Sequence, residues 1–352
     1  MPGILSWIRH RLSPGPKGHD TRPQNSDSGN RVPGRTLLSS GVGDPAENRE
    51  PLTKLEDHLF CWLLDSSPRQ IAEPSPLTAK VLSDLQSRLD RNALKELPRQ
   101  PLTLPTLMRT LGSESTSRQE VTSIILSDAS LTQQVLQVAN SPFFKVGDQP
   151  VNTVDQAVFR LGLDGIRNVA SASVMRPMLA ARNSTESAFA QRAWRWGVTC
   201  ARSAELIALV DKQESTSYFM VGLLPALSYL TLRREVQAIF KRKFPDQQPS
   251  AHIFHEAMRR FQWATAQNIA HAWNLPPRYH ALLLTAQRPA PRQERSPLND
   301  GIVLGTREAL RDAHQRNMGD EELLGLLSIN PEQLNKVRHV LSRVLAEGFA
   351  SR

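Results

Sequence analysis

Cysteine is scarce: only Cys61 and Cys200 occur in 352 residues. They stand far apart, which excludes a disulfide framework and a thiolate metal cluster. Two buried free thiols in a reducing compartment are expected. Long hydrophobic runs are missing too, and no stretch reaches the roughly 18 apolar residues of a membrane span. No alternating strand pattern of useful length occurs, which excludes an extended sheet. There is no glycine-rich phosphate loop, no Walker lysine and no dinucleotide fingerprint. No cofactor is therefore expected. Aromatic residues make up only 6%, yet six of them are tryptophans.

What is present is charge, proline punctuation and helical periodicity. The formal charge is +9, and nearly all of the excess lies between residues 98 and 288. A field of that sign attracts anionic partners or nucleic acid. The densest basic stretches are Lys241-Arg242-Lys243, Arg233-Arg234 and Arg259-Arg260, and solvated helix faces account for them equally well. The 25 prolines gather in connectors.

Residues 1–12 are short and amphipathic, with charge at the wrong end for a secretory signal. A disordered leader is expected there, with surface association through Ile4, Leu5, Trp7 and Ile8 as the alternative. The missing targeting signal points to the cytoplasm. Glycine, proline, serine and charge dominate residues 13–50, and the whole of 1–50 reads as disordered.

Residues 51–96 read as an accessory helical hairpin or lid. Leu52, Leu55, Leu59, Trp62 and Leu63 stripe one helix, and Leu77, Val81, Leu85, Leu89 and Leu94 a second. The central unit, 97–287, is all-α. Pro101 and Pro105 flank its entry, with Leu102, Leu104 and Leu107 as core anchors. Helices follow over 118–125, 130–138, 154–160, 165–175, 187–210, 218–240, 251–273 and 278–286. Asp128 or Ser130 and then Ser250 are candidate caps. Residues 288–300 form a linker and 301–352 a C-terminal helical tail. The last helix is best specified: Asn330 caps it, Pro331 opens it and Gln333 lies three residues after the cap. Such tail helices are marginal alone, so docking on the core or on a partner is expected.

An ordered set of motifs in the central unit resembles the HDOD domain family, output domains related to the HD phosphohydrolases. Leu104-Pro105 resembles its leucine-proline entry. Ser127-Asp128-Ala129-Ser130-Leu131 and then Ala139-Asn140-Ser141 resemble its aspartate-proline and alanine-asparagine-serine segments, with alanine in place of the proline. Phe143-Phe144 stands where an aromatic pair commonly lies. Val154, Ala157, Leu161-Gly162 and Ile166-Arg167-Asn168 match the following helices and their turn. The resemblance covers roughly 97–287 and implies a multi-helix bundle with accessory helices at both ends.

The same resemblance locates where metal ligands would stand, and the residues there are unsuited. Pro225-Ala226 occupies the histidine-aspartate position. Trp196 follows Trp194-Arg195 where a histidine is common. Gln262 stands before Trp273 where another histidine is frequent, and Thr285-Ala286 falls at a later histidine pair. A site filled mainly by apolar side chains is expected around Pro225 and Ala226, flanked by Leu223, Leu224 and Leu227.

Other candidates have competing readings. His252, His255, Glu256, His271 and His280 include donor types for a divalent ion, but they lack the close pair such a site needs. Capping or solvent-facing histidines are the alternative. Cys200 reads as a small core residue, and Ser228 has no base nearby in sequence. Asn140 and Ser141 suit a helix end and turn, with ligand contact as the second option. Arg160 and Arg167 flank the Leu161-Gly162 turn and suit either an anion clamp or solvated faces. Trp194, Trp196, Trp263 and Trp273 are core filler, or else walls of an interface or former pocket.

Three functions follow. The first is a non-enzymatic regulatory module of bacterial signal transduction, acting through contacts with unidentified signalling proteins. The second is a residual metal-dependent phosphohydrolase acting on a nucleotide or cyclic dinucleotide. The third is a basic nucleic-acid-binding regulator, against which no helix-turn-helix is evident.

Overall fold

The computed structural model describes residues 49–100, 117–141, 144, 149–287 and 296–349. The readings at 1–48, the entry segment with Leu102, Leu104, Pro105 and Leu107, and Pro142-Phe143 lie outside these residues, as does 288–295 of the expected linker.

Among the described residues every regular element is helical. In chain order they are α1 (Arg49–Leu64), α2 (Pro68–Ala72), α3 (Thr78–Asp90), α4 (Arg118–Leu126), α5 (Ala129–Ala139), α6 (Val154–Met175), a 3-10 turn (Arg176–Leu179), α7 (Ser184–Val210), α8 (Ser215–Lys243), α9 (Ala251–Ala272), α10 (Pro277–Gln287), α11 (Pro297–Asp312), α12 (Asp320–Leu326) and α13 (Pro331–Phe349).

Local chemistry sets many of the boundaries. The Asp128 carboxylate accepts the Leu131 N–H at 3.0 Å and starts α5. Ser250 caps α9 through the Ile253 N–H. Asn330 and Gln333 satisfy each other's main-chain N–H groups at the start of α13, at 2.9 and 2.8 Å. Each arrangement occupies donors that a helix start leaves unpaired. The expected helices at 154–160 and 165–175 are one element broken at Gly162, whose φ of 70° lies in the left-handed region. A Cβ there would touch nothing within 4 Å, so backbone conformation rather than space calls for glycine.

The long helix α7 runs through the centre, with α8 and α11 as its main partners. Its residues 196–201 and 203–208 are all buried, as are residues 217–232 of α8. A helix apolar on every side belongs in an interior. Helix α1 packs on α7 and α11, whereas α3 packs on α8 and α9. The two N-terminal helices therefore rest mainly on the core rather than on each other.

The C-terminal helices are equally integrated. Residues 297–300, placed with the linker by the sequence, open α11. A Cβ on Gly305 would stand 2.5 Å from Cα of Cys200, and one on Gly301 would overlap the backbone at Ala204. Only glycine allows α11 to lie so close to α7. Arg195 pairs with Asp312 across the same two helices. Helix α13 contacts α7, and its Arg338 bridges Glu308 at 3.0 Å and Asp320 at 2.7 Å.

Candidate functional site

Pro225 and Ala226, the residues expected at the histidine-aspartate position, lie inside α8. Pro225 and Ala226 are both buried, as are Leu223, Leu224 and Leu227. A Cβ on Gly197 of α7 would come within 2.6 Å of the Ala226 Cβ, and one on Gly222 would come within 2.6 Å of the Ala201 Cα. The two helices thus touch backbone to backbone at this point. Pro225 has no N–H, and the Ser228 hydroxyl donates back to the Leu224 carbonyl at 2.9 Å.

Trp196 fills the adjacent position. It is 1% exposed, and its indole stacks on Tyr229 with centroids 4.9 Å apart and planes 5° apart. Its Nε1–H donates to the Thr306 hydroxyl at 2.8 Å, so α11 supplies the indole's polar partner. Cys200 lies beside it, fully buried, and burial pushes its thiol well above the usual range. Cys61 is also a free thiol.

A divalent ion needs converging nitrogen, sulfur or carboxylate donors. Pro225, Ala226 and Trp196 supply none, and the space between their helices is closed. Gln262, half-buried on α9, offers only a neutral amide. The residues present do not fit an HD-type metal. Among the described residues, no group of three or more His, Cys, Asp or Glu is placed to hold a metal ion.

The histidines singled out by sequence have separate surroundings. The Nδ1 of His252 lies 2.8 Å from the Ile71 carbonyl. His255 packs edge-on against Phe60, with Asp57 Oδ1 3.3 Å from its Nε2. Burial pushes its imidazole below the usual range, against the opposing charges of Asp57 and Glu256. His280 meets Gln267 at 3.0 Å, and His271 is exposed at the end of α9.

The polar residues singled out by sequence have local partners. The Asn140 amide donates to the Val151 carbonyl and accepts the Val151 N–H, both at 2.7 Å. The Ser141 carbonyl accepts the Phe144 N–H at 2.9 Å. Arg160 donates to the Gln149 carbonyl at 2.5 Å, whereas Arg167 pairs with Asp164 at 3.2 Å. The two arginines flanking the Gly162 break are thus tied to different places. Trp273 is buried, and its Nε1–H donates to the Pro98 carbonyl at 2.9 Å. Trp194 is half-buried and lines an open cleft.

One basic pair differs from its solvated reading. Arg233 lies over the rings of Phe189 and Phe254, at 4.8 and 4.9 Å. Arg234 binds Glu186 at 2.8 Å. Both are interior ties between helices, formed because the long stems bury while the heads find a ring face or a carboxylate. Arg259 and Arg260 remain about half exposed on Glu256, and Arg242 and Lys243 reach Asp84.

Two groups escaped the sequence reading. Glu235 is fully buried and accepts from Arg88 at 2.5 Å and from the Glu96 N–H at 2.8 Å. Glu205 is buried too, accepting from Asn168 and Arg202 at 2.5 Å each. Burial pushes its carboxyl up despite those partners. The pairings of Glu235 with Arg88 and of Glu205 with Asn168 span more than 30 residues and leave no spacing signal, whereas Arg202 lies three residues before Glu205.

The family model for the HDOD domain matches residues 97–289. The chain belongs to the HDOD family. Known structures share its fold. A protein from Shewanella amazonensis SB2B, provisionally classed as a metal-dependent phosphohydrolase, aligns over 78% of this chain and 100% of its own, with a TM-score of 0.58 and 20% identity. An HDOD domain protein of unknown function from Geobacter sulfurreducens aligns over 77% and 97%, at 0.52 and 16%. A protein from Marinobacter aquaeolei VT8, provisionally classed in signal transduction, aligns over 80% of this chain and 68% of its own, at 0.52 and 18%. These alignments reach beyond the HDOD segment, so the shared fold includes flanking helices. No curated protein matches the chain significantly.

Proposed function

We propose that this HDOD chain is a non-catalytic module of bacterial signal transduction that works in the cytoplasm through protein contacts. The closed packing of Pro225 and Ala226 against Gly197 carries this reading, because it leaves neither donors nor room for a metal-activated water. The signalling assignment of the Marinobacter aquaeolei relative supports the context. No helix among the described residues is long and apolar enough to cross a membrane.

The nucleic-acid reading loses support, because Arg233 and Arg234 are engaged in the interior and Arg242 and Lys243 share Asp84. A phosphate-tracking surface needs unpaired cations along one face.

Two measurements test the proposal together. Purified chain should release no phosphate from nucleotides or cyclic dinucleotides with Mn²⁺ added. A partner recovered by affinity capture should re-form a stoichiometric complex from purified components. Metal-dependent turnover that persists through repeated purification would overturn the reading, as would salt-sensitive nucleic-acid binding with no reconstituted protein complex.

A further inference from the structure

Apart from the closed position at Pro225, the described residues contain a cleft of about 370 Å³ between α5, the 3-10 turn and the first half of α7. Trp194 forms one wall. It lies two residues from Trp196 and so faces a different direction from the indole that fills the core. Arg176 enters from the end of α6, and no carboxylate of the described residues lines the cleft. Val138 and Leu179 provide apolar floor, with Gln137 and Gln191 at the exposed rim.

Two features distinguish this cleft from ordinary surface relief. The Arg176 guanidinium is half-buried and has no ion pair or hydrogen bond among the described residues, as is also true of the side chains of Arg69, Arg91, Arg99, Arg118 and Arg316, but it alone of these lies in a cleft beside a tryptophan and without a described carboxylate. The Trp194 indole N–H likewise has no partner among the described residues. An unpaired fork of donors suits a carboxylate, and an indole face suits a flat ring. A single cation with no opposing acid selects one negative charge. The volume is that of a small-ligand site.

We infer that this cleft binds a small monoanion built on a planar ring, an aromatic carboxylate, with Arg176 holding the carboxylate and Trp194 stacking on the ring. The cleft is separate from the closed HD position and gives the domain a ligand input independent of metal chemistry. The inference stands whether or not the chain acts through protein contacts.

The test uses the full chain and 2-naphthoate, followed by calorimetry and by saturation transfer to the ring protons. Neutral 2-naphthalenemethanol serves as the uncharged comparison. Naphthoate should bind saturably at one site, and the alcohol about tenfold more weakly or less. Arg176→Gln should weaken naphthoate about tenfold or more, the size of a lost charge-assisted hydrogen bond. That variant removes no internal partner, so its melting curve should be unchanged. Trp194→Leu should remove the ring saturation transfer, and if it fails to fold, Arg176→Gln alone decides. Arg118→Gln, on the separate face that carries Leu126 and Phe159, should bind naphthoate as the native chain does. The inference is overturned by absence of saturable binding, by equal affinity for the alcohol, or by unchanged affinity in Arg176→Gln.

Discussion

The indole of Trp196 lies parallel to the ring of Tyr229, 4.9 Å between centroids, and donates its N–H to Thr306. Three helices thereby meet at the position where the family resemblance would place an imidazole. Trp196→His would exchange a filled, hydrogen-bonded site for a cavity and a poorly matched ring. The expected loss is about 3 kcal/mol, the lower range for large aromatic truncations. Urea unfolding checks it, and the midpoint should not recover in Mn²⁺.

Ala226→Asp extends the same test to α8. Its carboxylate would enter a closed contact with Gly197. A buried charge without a partner costs about 3 kcal/mol or more. A ligand that binds only the folded state raises stability, so a true metal site would show a midpoint rising with Mn²⁺. The expected result is a destabilised variant indifferent to the ion.

Gly305→Val probes the contact between α7 and α11. Its Cβ would press on the Cys200 backbone, which has no free end to swing aside. Overpacking of this kind costs about 1–3 kcal/mol or more. A shift in the urea midpoint of the full chain measures it, and Gly319→Ala, where a Cβ meets nothing within 4 Å, should differ by far less.

These glycines mark where sequence reasoning reached and where it stopped. Helices were legible because periodicity and caps are local: Asp128, Ser250 and Asn330 each start the helix expected of them. The apolar surroundings of Pro225 and Ala226 were legible because Leu223, Leu224 and Leu227 stand beside them in sequence. The partner of a small residue is not local. Nothing in Gly301-Ile302-Val303-Leu304-Gly305 says that it faces Cys200 and Ala204 a hundred residues earlier. Arg233 and Arg234 misled for the same reason, since Phe189, Phe254 and Glu186 reach them only through tertiary packing.

Asn140→Ala should open the return that Val151 closes. The amide makes bonds of 2.7 Å to both main-chain groups of Val151 and a third of 2.9 Å to the Leu136 carbonyl. Removing it strands a main-chain N–H, at an expected cost of about 1–3 kcal/mol. Hydrogen exchange should show lost protection at Val151 while α8 stays protected.

Glu235→Leu should be among the most damaging single changes, by about 3–5 kcal/mol, because Arg88 would lose its buried carboxylate and keep only Asp84 at 3.2 Å, and the Lys95 and Glu96 N–H groups would lose their acceptor. Adding Arg88→Met should restore part of that loss. A double-mutant cycle in urea checks it, and strict additivity of the two changes would argue against direct coupling.

Glu186 sits at the start of α7, bound by Arg234 at 2.8 Å and by the Arg182 N–H at 2.7 Å. Burial pushes its carboxyl up, but these hydrogen bonds and the arginine charges outweigh burial and hold it below the ordinary value of 4.5. A carboxyl depressed in the folded state binds protons more readily once unfolded. Its stabilisation is therefore fully present above the unfolded value and is lost as pH falls through the folded one. Glu186→Gln removes that titration and also leaves Arg234 without its anion. The variant should be less stable than the native chain at pH 7, and the gap should close as pH falls below about 4.5. Urea midpoints at a series of pH values decide the matter: a gap independent of pH would remove the Glu186–Arg234 pair as the source of acid sensitivity.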